Sequence, residues 1–186
     1  MNCPAPWLPF DGKGLTSKPG NRSAQSLVAV IDQFDVEHCP RYTVRDTTGD
    51  GKLDTFCNVF AWDVSRALGA ELPHWVDDHG KPALARAPGA RELSANALVG
   101  WLHSHGAAYG WTLVPEATAR IYALSGHPAF VTWKNPRGGS GHIAVVKPGP
   151  TMGEPQIAQA GANNFTAGTL SRGFGSASPL EWWIHD

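Results

Sequence analysis

The apolar residues of this chain change their period once, and that change limits the folds open to it. Up to Gly126 they recur at helical spacing, and beyond it they come in short strand-like runs. Leu27, Val28, Ile31 and Phe34 predict a helix from Ser23 to about Val36, stopped before Pro40. Arg41 to Val44 reads as a short strand, and Asp46 to Asp54 as a polar loop. A helix is predicted from Cys57 to Leu68, with Val64 and Leu68 on the face of Phe60, Asp54 or Thr55 as its cap and Gly69 as its stop. After a long loop over 70–92, Ser94 caps a third helix carrying Leu98, Val99, Trp101 and Leu102. Trp111 to Val114 is a candidate strand, and Pro115 opens a helix that ends at Gly126. Four strands follow, at 129–133, 142–147, 156–160 and 180–184. Helices first and hairpin-connected strands after give an α+β class, with helices packed on an antiparallel β-sheet.

Glycine and proline, 21 and 15 of 186 residues, make the elements short and exclude a long helical bundle. Residues 1–20 are rich in both and read as an irregular N-terminal arm ahead of a single domain over 21–186. A net charge of −1 argues against a protein that neutralises phosphates, so no nucleic-acid partner is expected. Apolar runs such as Leu27 to Ile31 are far short of the ~20 residues that cross a bilayer, so no membrane partner is expected either. The first residues lack a basic region followed by an apolar stretch, so no secretory signal is read there.

Three cysteines, Cys3, Cys39 and Cys57, are an odd count and a poor disulfide framework, and replacing Cys3 or Cys39 is expected to be near silent. Cys57 stands apart because it opens a helix. Amide groups and the helix dipole at that end favour a thiolate, which is a strong nucleophile. The alternative is an inert buried thiol. His142 follows the flexible run Gly138-Gly139-Ser140-Gly141 and opens an apolar strand, where a ring is fixed on one side and open on the other. That suits a general base, or equally a strand-edge histidine bonded to its turn.

Taken together, Cys57-x-x-Phe-Ala and, 85 residues later, Gly-His142-Ile-Ala-Val-Val resemble two families of peptidoglycan-cleaving cysteine hydrolases. These are the CHAP (cysteine, histidine-dependent amidohydrolase/peptidase) and NlpC-type families. The resemblance spans about residues 41–165 and implies a papain-like core in a catalytic domain. It implies hydrolysis of an amide bond in the peptide part of bacterial cell wall, by an amidase or endopeptidase. Cys57 would be the nucleophile and His142 the base. The families' third group lies on the next strand, where Gln159 is the candidate and Asn163 and Asn164 the runners-up. No Glu or His stands there, which departs from the families, and Phe56 stands where relatives carry Asp or Gln. Besides the Cys57 amide, Tyr42 and Asp54 are candidate oxyanion donors.

The loop before Cys57 has oxygen donors at alternate positions, Asp46, Thr48, Asp50, the Lys52 carbonyl and Asp54, with Gly51 sixth as a calcium loop requires. The glutamate at the twelfth position is missing, so the loop is not a full EF-hand. It resembles shorter calcium loops that precede the nucleophile in some CHAP hydrolases; a plain Asp-Gly turn is the alternative. Trp75 and Trp133 are candidates for a glycan groove, the other tryptophans for the core. The expected biology is a monomeric phage endolysin or a secreted antibacterial effector acting in the periplasm or wall, with an immunity or inhibitor protein as a further partner. A cytoplasmic thiol protease or deamidase on the same core, and a non-catalytic calcium-binding module, are the alternatives.

Overall fold

A computed structural model describes residues 3–186. Five α-helices precede or flank a six-stranded antiparallel sheet. The helices are α1 (Ala24–Asp32), α2 (Cys57–Ala67), α3 (Ala95–His105), α4 (Glu116–Leu124) and α5 (Leu170–Phe174). A small ribbon pairs β1 (Trp75–Val76) with β2 (Arg91–Glu92). The main sheet contains β3 (Trp111–Val114), β4 (Ala129–Trp133), β5 (His142–Val146), β6 (Gln156–Gln159), β7 (Phe165–Thr169) and β8 (Glu181–His185), in the order β3-β8-β4-β5-β6-β7. The α+β class read from the periodicity is thus present, with β4 to β7 as a meander and β8 inserted between β3 and β4. No helix among the described residues is long and apolar enough to cross a membrane.

The centre of the molecule is α2, nine of whose eleven residues are buried. A helix covered on nearly every side belongs in a core. It packs along β5, whose Ile143, Ala144, Val145 and Val146 are themselves buried. One polar group inside it, Asp63, is fully buried and made tolerable by its partners. Arg41 donates from Nε to Asp63 Oδ2 at 2.7 Å and from Nη2 to Oδ1 at 2.9 Å, and the Tyr42 hydroxyl donates to Oδ2 at 2.7 Å. Burial pushes the Asp63 carboxyl up to about 6, against the pull of Arg41 and Tyr42.

This cluster corrects the strand expected at Arg41 to Val44. Residues 40–42 form a 3-10 turn instead. Neighbouring residues in a strand point to opposite faces, and here Arg41 and Tyr42 must both reach one carboxylate.

The N-terminal arm is irregular but fastened. Arg41 also donates to the carbonyls of Pro4, Ala5 and Leu8, and Phe10 packs edge-on against Phe34 at 5.7 Å. The Gln33 side chain receives the amides of Lys13 and Leu15 and donates to the Leu15 carbonyl. Cys3 and Cys39 are joined in a disulfide across Cα atoms 6.3 Å apart. The odd count therefore hid one pair and one free thiol, Cys57. The sequence could not show that the arm folds back on the turn after α1.

Two further departures are local. The start of α2 has no side-chain cap: Phe56 holds the cap position, and the Asp54 carboxylate turns back to Thr47. Strand β7 and helix α5 were not expected, because Phe165 is the only large apolar residue of an edge strand. Ser94 does cap α3, accepting from Ala97 N.

Candidate active site

Cys57 occupies the first turn of α2, where the chain enters the helix from the Asp46–Asp54 loop. Its side chain is 3% exposed. Across from it, β5 begins with His142, and the imidazole lies near enough to the sulfur for the two groups to interact. The Ile143 and Asn58 amides also point at the sulfur. On the far side of the ring, His142 Nε2 is 2.6 Å from Gln159 Oε1. The structure thus brings Cys57, His142 and Gln159 together, from one helix and two neighbouring strands.

The orientation of the Gln159 amide follows from its second contact. Its Nε2 donates to the Asn163 carbonyl at 3.0 Å, so Oε1 is the atom that faces the imidazole. An acceptor there requires the proton on His142 Nε2 and leaves Nδ1 for the sulfur. Phe174 of α5 closes over the ring edge-on at 4.8 Å. Two glycines make room for the pair. A Cβ on Gly161 would lie 3.2 Å from His142 Cε1, and one on Gly173 would lie 2.5 Å from Gln159 Oε1.

Electrostatics couple the first two groups. Burial pushes the Cys57 thiol up, but the His142 hydrogen bond and charge, with the two amides, outweigh it and hold the thiol below its ordinary value. Burial pushes His142 down, and the contacts with Cys57 and Gln159 outweigh that and raise it. Each shift favours the ionised form of its group, so the arrangement supports a thiolate beside an imidazolium.

The remaining candidates lie elsewhere. Asn164 ties loops together: its Oδ1 accepts from Gly161 N, and its Nδ2 donates to the Val36 and Tyr42 carbonyls. Asn163 contributes its carbonyl to Gln159. The Tyr42 hydroxyl is spent on Asp63 inside the core, so it is not an oxyanion donor. Asp54 is held low by the Thr47 hydroxyl and amide, and an ionised carboxylate only accepts hydrogen bonds. Trp133 lines the cleft beside His142, whereas Trp75 packs edge-on against buried His74.

Residues that the sequence did not single out complete the site. Two hollows flank the Cys57–His142 pair, one lined by each residue, and form the halves of a candidate cleft. One half is lined by Thr55, Asn58, Glu92, Ser94 and Gly141 and reaches the Asp46–Asp54 loop. The other is lined by Trp133, Arg137, His142, Phe174 and Ser176. The turn between β4 and β5, expected to be flexible, is clamped by Asn96 of α3. Its Oδ1 accepts from Asn135 N at 2.8 Å, and its Nδ2 donates to the Gly139 carbonyl at 2.7 Å. A Cβ on Gly141 would collide with Asn96 and with the Trp133 carbonyl. Nothing in the spacing of Asn96 marked it, since its partners are 39 and 43 residues away.

In the loop before Cys57, a backbone bridge between Arg45 and Asp54 closes the base. Asp46 Oδ1 accepts from the Thr48 and Gly49 amides at 3.1 and 2.6 Å, and its Oδ2 from Gly51 N at 2.8 Å. Asp50 Oδ1 accepts from Lys52 N at 2.9 Å. The Gly51 and Gly49 amides hold the Asp46 carboxyl below the usual range. Asp54 stays ionised although Asp46 repels it. Oxygen donors and two ionised carboxylates close enough to repel suit a hard cation. Among the described residues, no three His, Cys, Asp or Glu side chains form a metal-holding group, so Thr48, the Lys52 carbonyl and water would have to complete a shell.

No protein-family model and no curated protein matches the chain.

Proposed function

We propose that the protein is a thiol hydrolase that cleaves an amide bond in the peptide part of bacterial cell wall, with Cys57 as nucleophile, His142 as base and Gln159 as the group that orients the imidazole. The observation that carries the reading is the ring of His142, bonded to Gln159 at 2.6 Å on one nitrogen and close enough to Cys57 for each group to favour the ionised form of the other. The motifs around Cys57 and His142 support the wall as substrate through their resemblance to CHAP and NlpC-type hydrolases, and a papain-like core is part of the same proposal.

The Cys57 thiolate attacks the carbonyl carbon while the Cys57 amide faces the developing oxyanion. His142 gives its Nδ1 proton to the leaving amine, and the acyl group stays on sulfur. His142 then takes a proton from water, which attacks the thioester and returns the thiolate. Gln159 keeps the Nε2 proton in place throughout; a neutral amide orients the ring without adding charge. Calcium in the Asp46–Asp54 loop belongs to the proposal: Asp46, Thr48, Asp50, Asp54 and the Lys52 carbonyl would hold it and stiffen one wall of the cleft. The Cys3–Cys39 disulfide supports action outside the reducing cytoplasm, in the periplasm or wall, over a cytoplasmic protease.

The test is incubation of purified peptidoglycan with the wild type and with Cys57→Ser, reading released amines and fragment masses. New amines with the wild type and none with Cys57→Ser are expected. Equal release by the two, or cleavage of unfolded protein in place of wall, would overturn the reading.

A further inference from the structure

The two halves of the cleft carry opposite charge. On the Cys57 side the charged groups are Asp54 and Glu92, and no lysine or arginine lines that half. On the His142 side the charged group is Arg137, beside Trp133 and Phe174. Among the described residues the Arg137 guanidinium meets no carboxylate: none of the ion pairs includes it, and the residue's hydrogen bond runs from its backbone amide to Asn135 Oδ1 at 3.0 Å. The turn that carries it is held from within by Asn135 and from outside by Asn96, so the guanidinium is presented from fixed backbone. Trp133 is paired with His142 across β4 and β5, and its indole Nε1 is buried without a partner.

We propose that Arg137 and Trp133 form a subsite for a substrate carboxylate, so that the cleft selects peptides bearing a free carboxylate on the His142 side of the scissile amide. A guanidinium and a carboxylate form a forked, charge-assisted pair, stronger than a neutral hydrogen bond. Glu92 repels a carboxylate from the other half, so the opposite charges on the two sides fix the direction of the substrate in the cleft. The inference rests on the hydrolase reading for its substrate, and Arg137 is a specificity residue that touches no reacting atom.

Its test uses soluble fragments of peptidoglycan, native and with their carboxylates converted to carboxamides, and the variants Arg137→Gln and Lys134→Gln. Arg137→Gln should lose about tenfold in kcat/KM on native fragments, mostly through KM, and lose nothing further on amidated ones. Lys134→Gln, a neighbouring charge outside the cleft lining, should stay within about twofold. Wild type that cleaves both fragment pools equally, or Arg137→Gln that matches wild type on native fragments, overturns the subsite and leaves the hydrolase intact. If the wild type cleaves neither pool, the hydrolase reading fails by itself. The subsite is then read from Cys57 alkylation by iodoacetate relative to iodoacetamide. Arg137→Gln, and not Lys134→Gln, should lower that ratio severalfold; an unchanged ratio overturns the proposal.

Discussion

Replacing Gly173 by alanine tests whether the orientation of His142 matters, without touching a group that does chemistry. The added Cβ would lie 2.5 Å from Gln159 Oε1 and 2.7 Å from Ile157 Cδ1. Carbon contacts settle at about 3.5–4.0 Å, so the two side chains must retreat by roughly 1 Å. Gln159 has little freedom to do so, because its Nε2 is held by the Asn163 carbonyl. A retreat of that size stretches the 2.6 Å bond to His142 past the limit of a hydrogen bond. A bond to a charged ring contributes about 1.5–3 kcal/mol, which is roughly a 10–100-fold loss in rate. The overpacking itself costs about 1–3 kcal/mol, and the fold survives with a melting temperature lower by several degrees. Gly173→Ala should therefore lower kcat on peptidoglycan and the rate of Cys57 alkylation by iodoacetamide at about pH 7, with KM little changed. Gly100→Ala, at a site in α3 with open space around it, is the control and should be silent. Rates within about twofold of wild type in Gly173→Ala, with Gln159→Ala impaired, would refute the packing argument. If Gln159→Ala is also unimpaired, Gln159 does not orient the ring.

Iodoacetamide should trap Cys57 faster than free cysteine at about pH 6.5, with the advantage vanishing toward pH 8.5 as ordinary thiols ionise, and His142→Ala should abolish it; equal rates across that range would show that the thiol is not activated. Cys39→Ser, or reductant on the wild type, opens a cross-link spanning 36 positions and should cost about 3–4 kcal/mol, read as a melting point lower by roughly 10 °C. A scan unchanged by reductant would refute that cost. A chelator should lower the melting temperature and activity of wild type, and Asp50→Ala should reproduce both effects without further response. Calcium titration with no heat and no change in melting would leave the loop an Asp-Gly turn.

The sequence exposed what depends on short-range order. The period change at Gly126, the helix opened by Cys57 and the strand opened by His142 are local patterns, and each stands where the spacing put it. Gln159 was legible because strand alternation gave it a face. What stayed hidden depends on distant partners. Arg41 and Tyr42 fold as a turn for the sake of Asp63, 22 and 21 residues on. Cys3 finds Cys39 only once the arm has folded back. Arg137 and Phe174 come to the cleft, and Asn96 to the turn that carries Arg137, from three separate elements with no shared motif.

The position of β8 bears on the order in which the sheet is completed. The meander from β4 to β7 closes through neighbouring hairpins, so His142 and Gln159 can meet early. Strand β3 enters the sheet only through β8, about seventy residues further along, and such distant pairings are slow to form. Until β8 slides between β3 and β4, Trp182 and Trp183 lack their places in the core. Helix α4, which β8 backs, then has no finished floor to rest on. A chain still emerging from the ribosome would therefore bring Cys57 and His142 together first, since α2 rests on β5 and β6, while the far half of the sheet is still open.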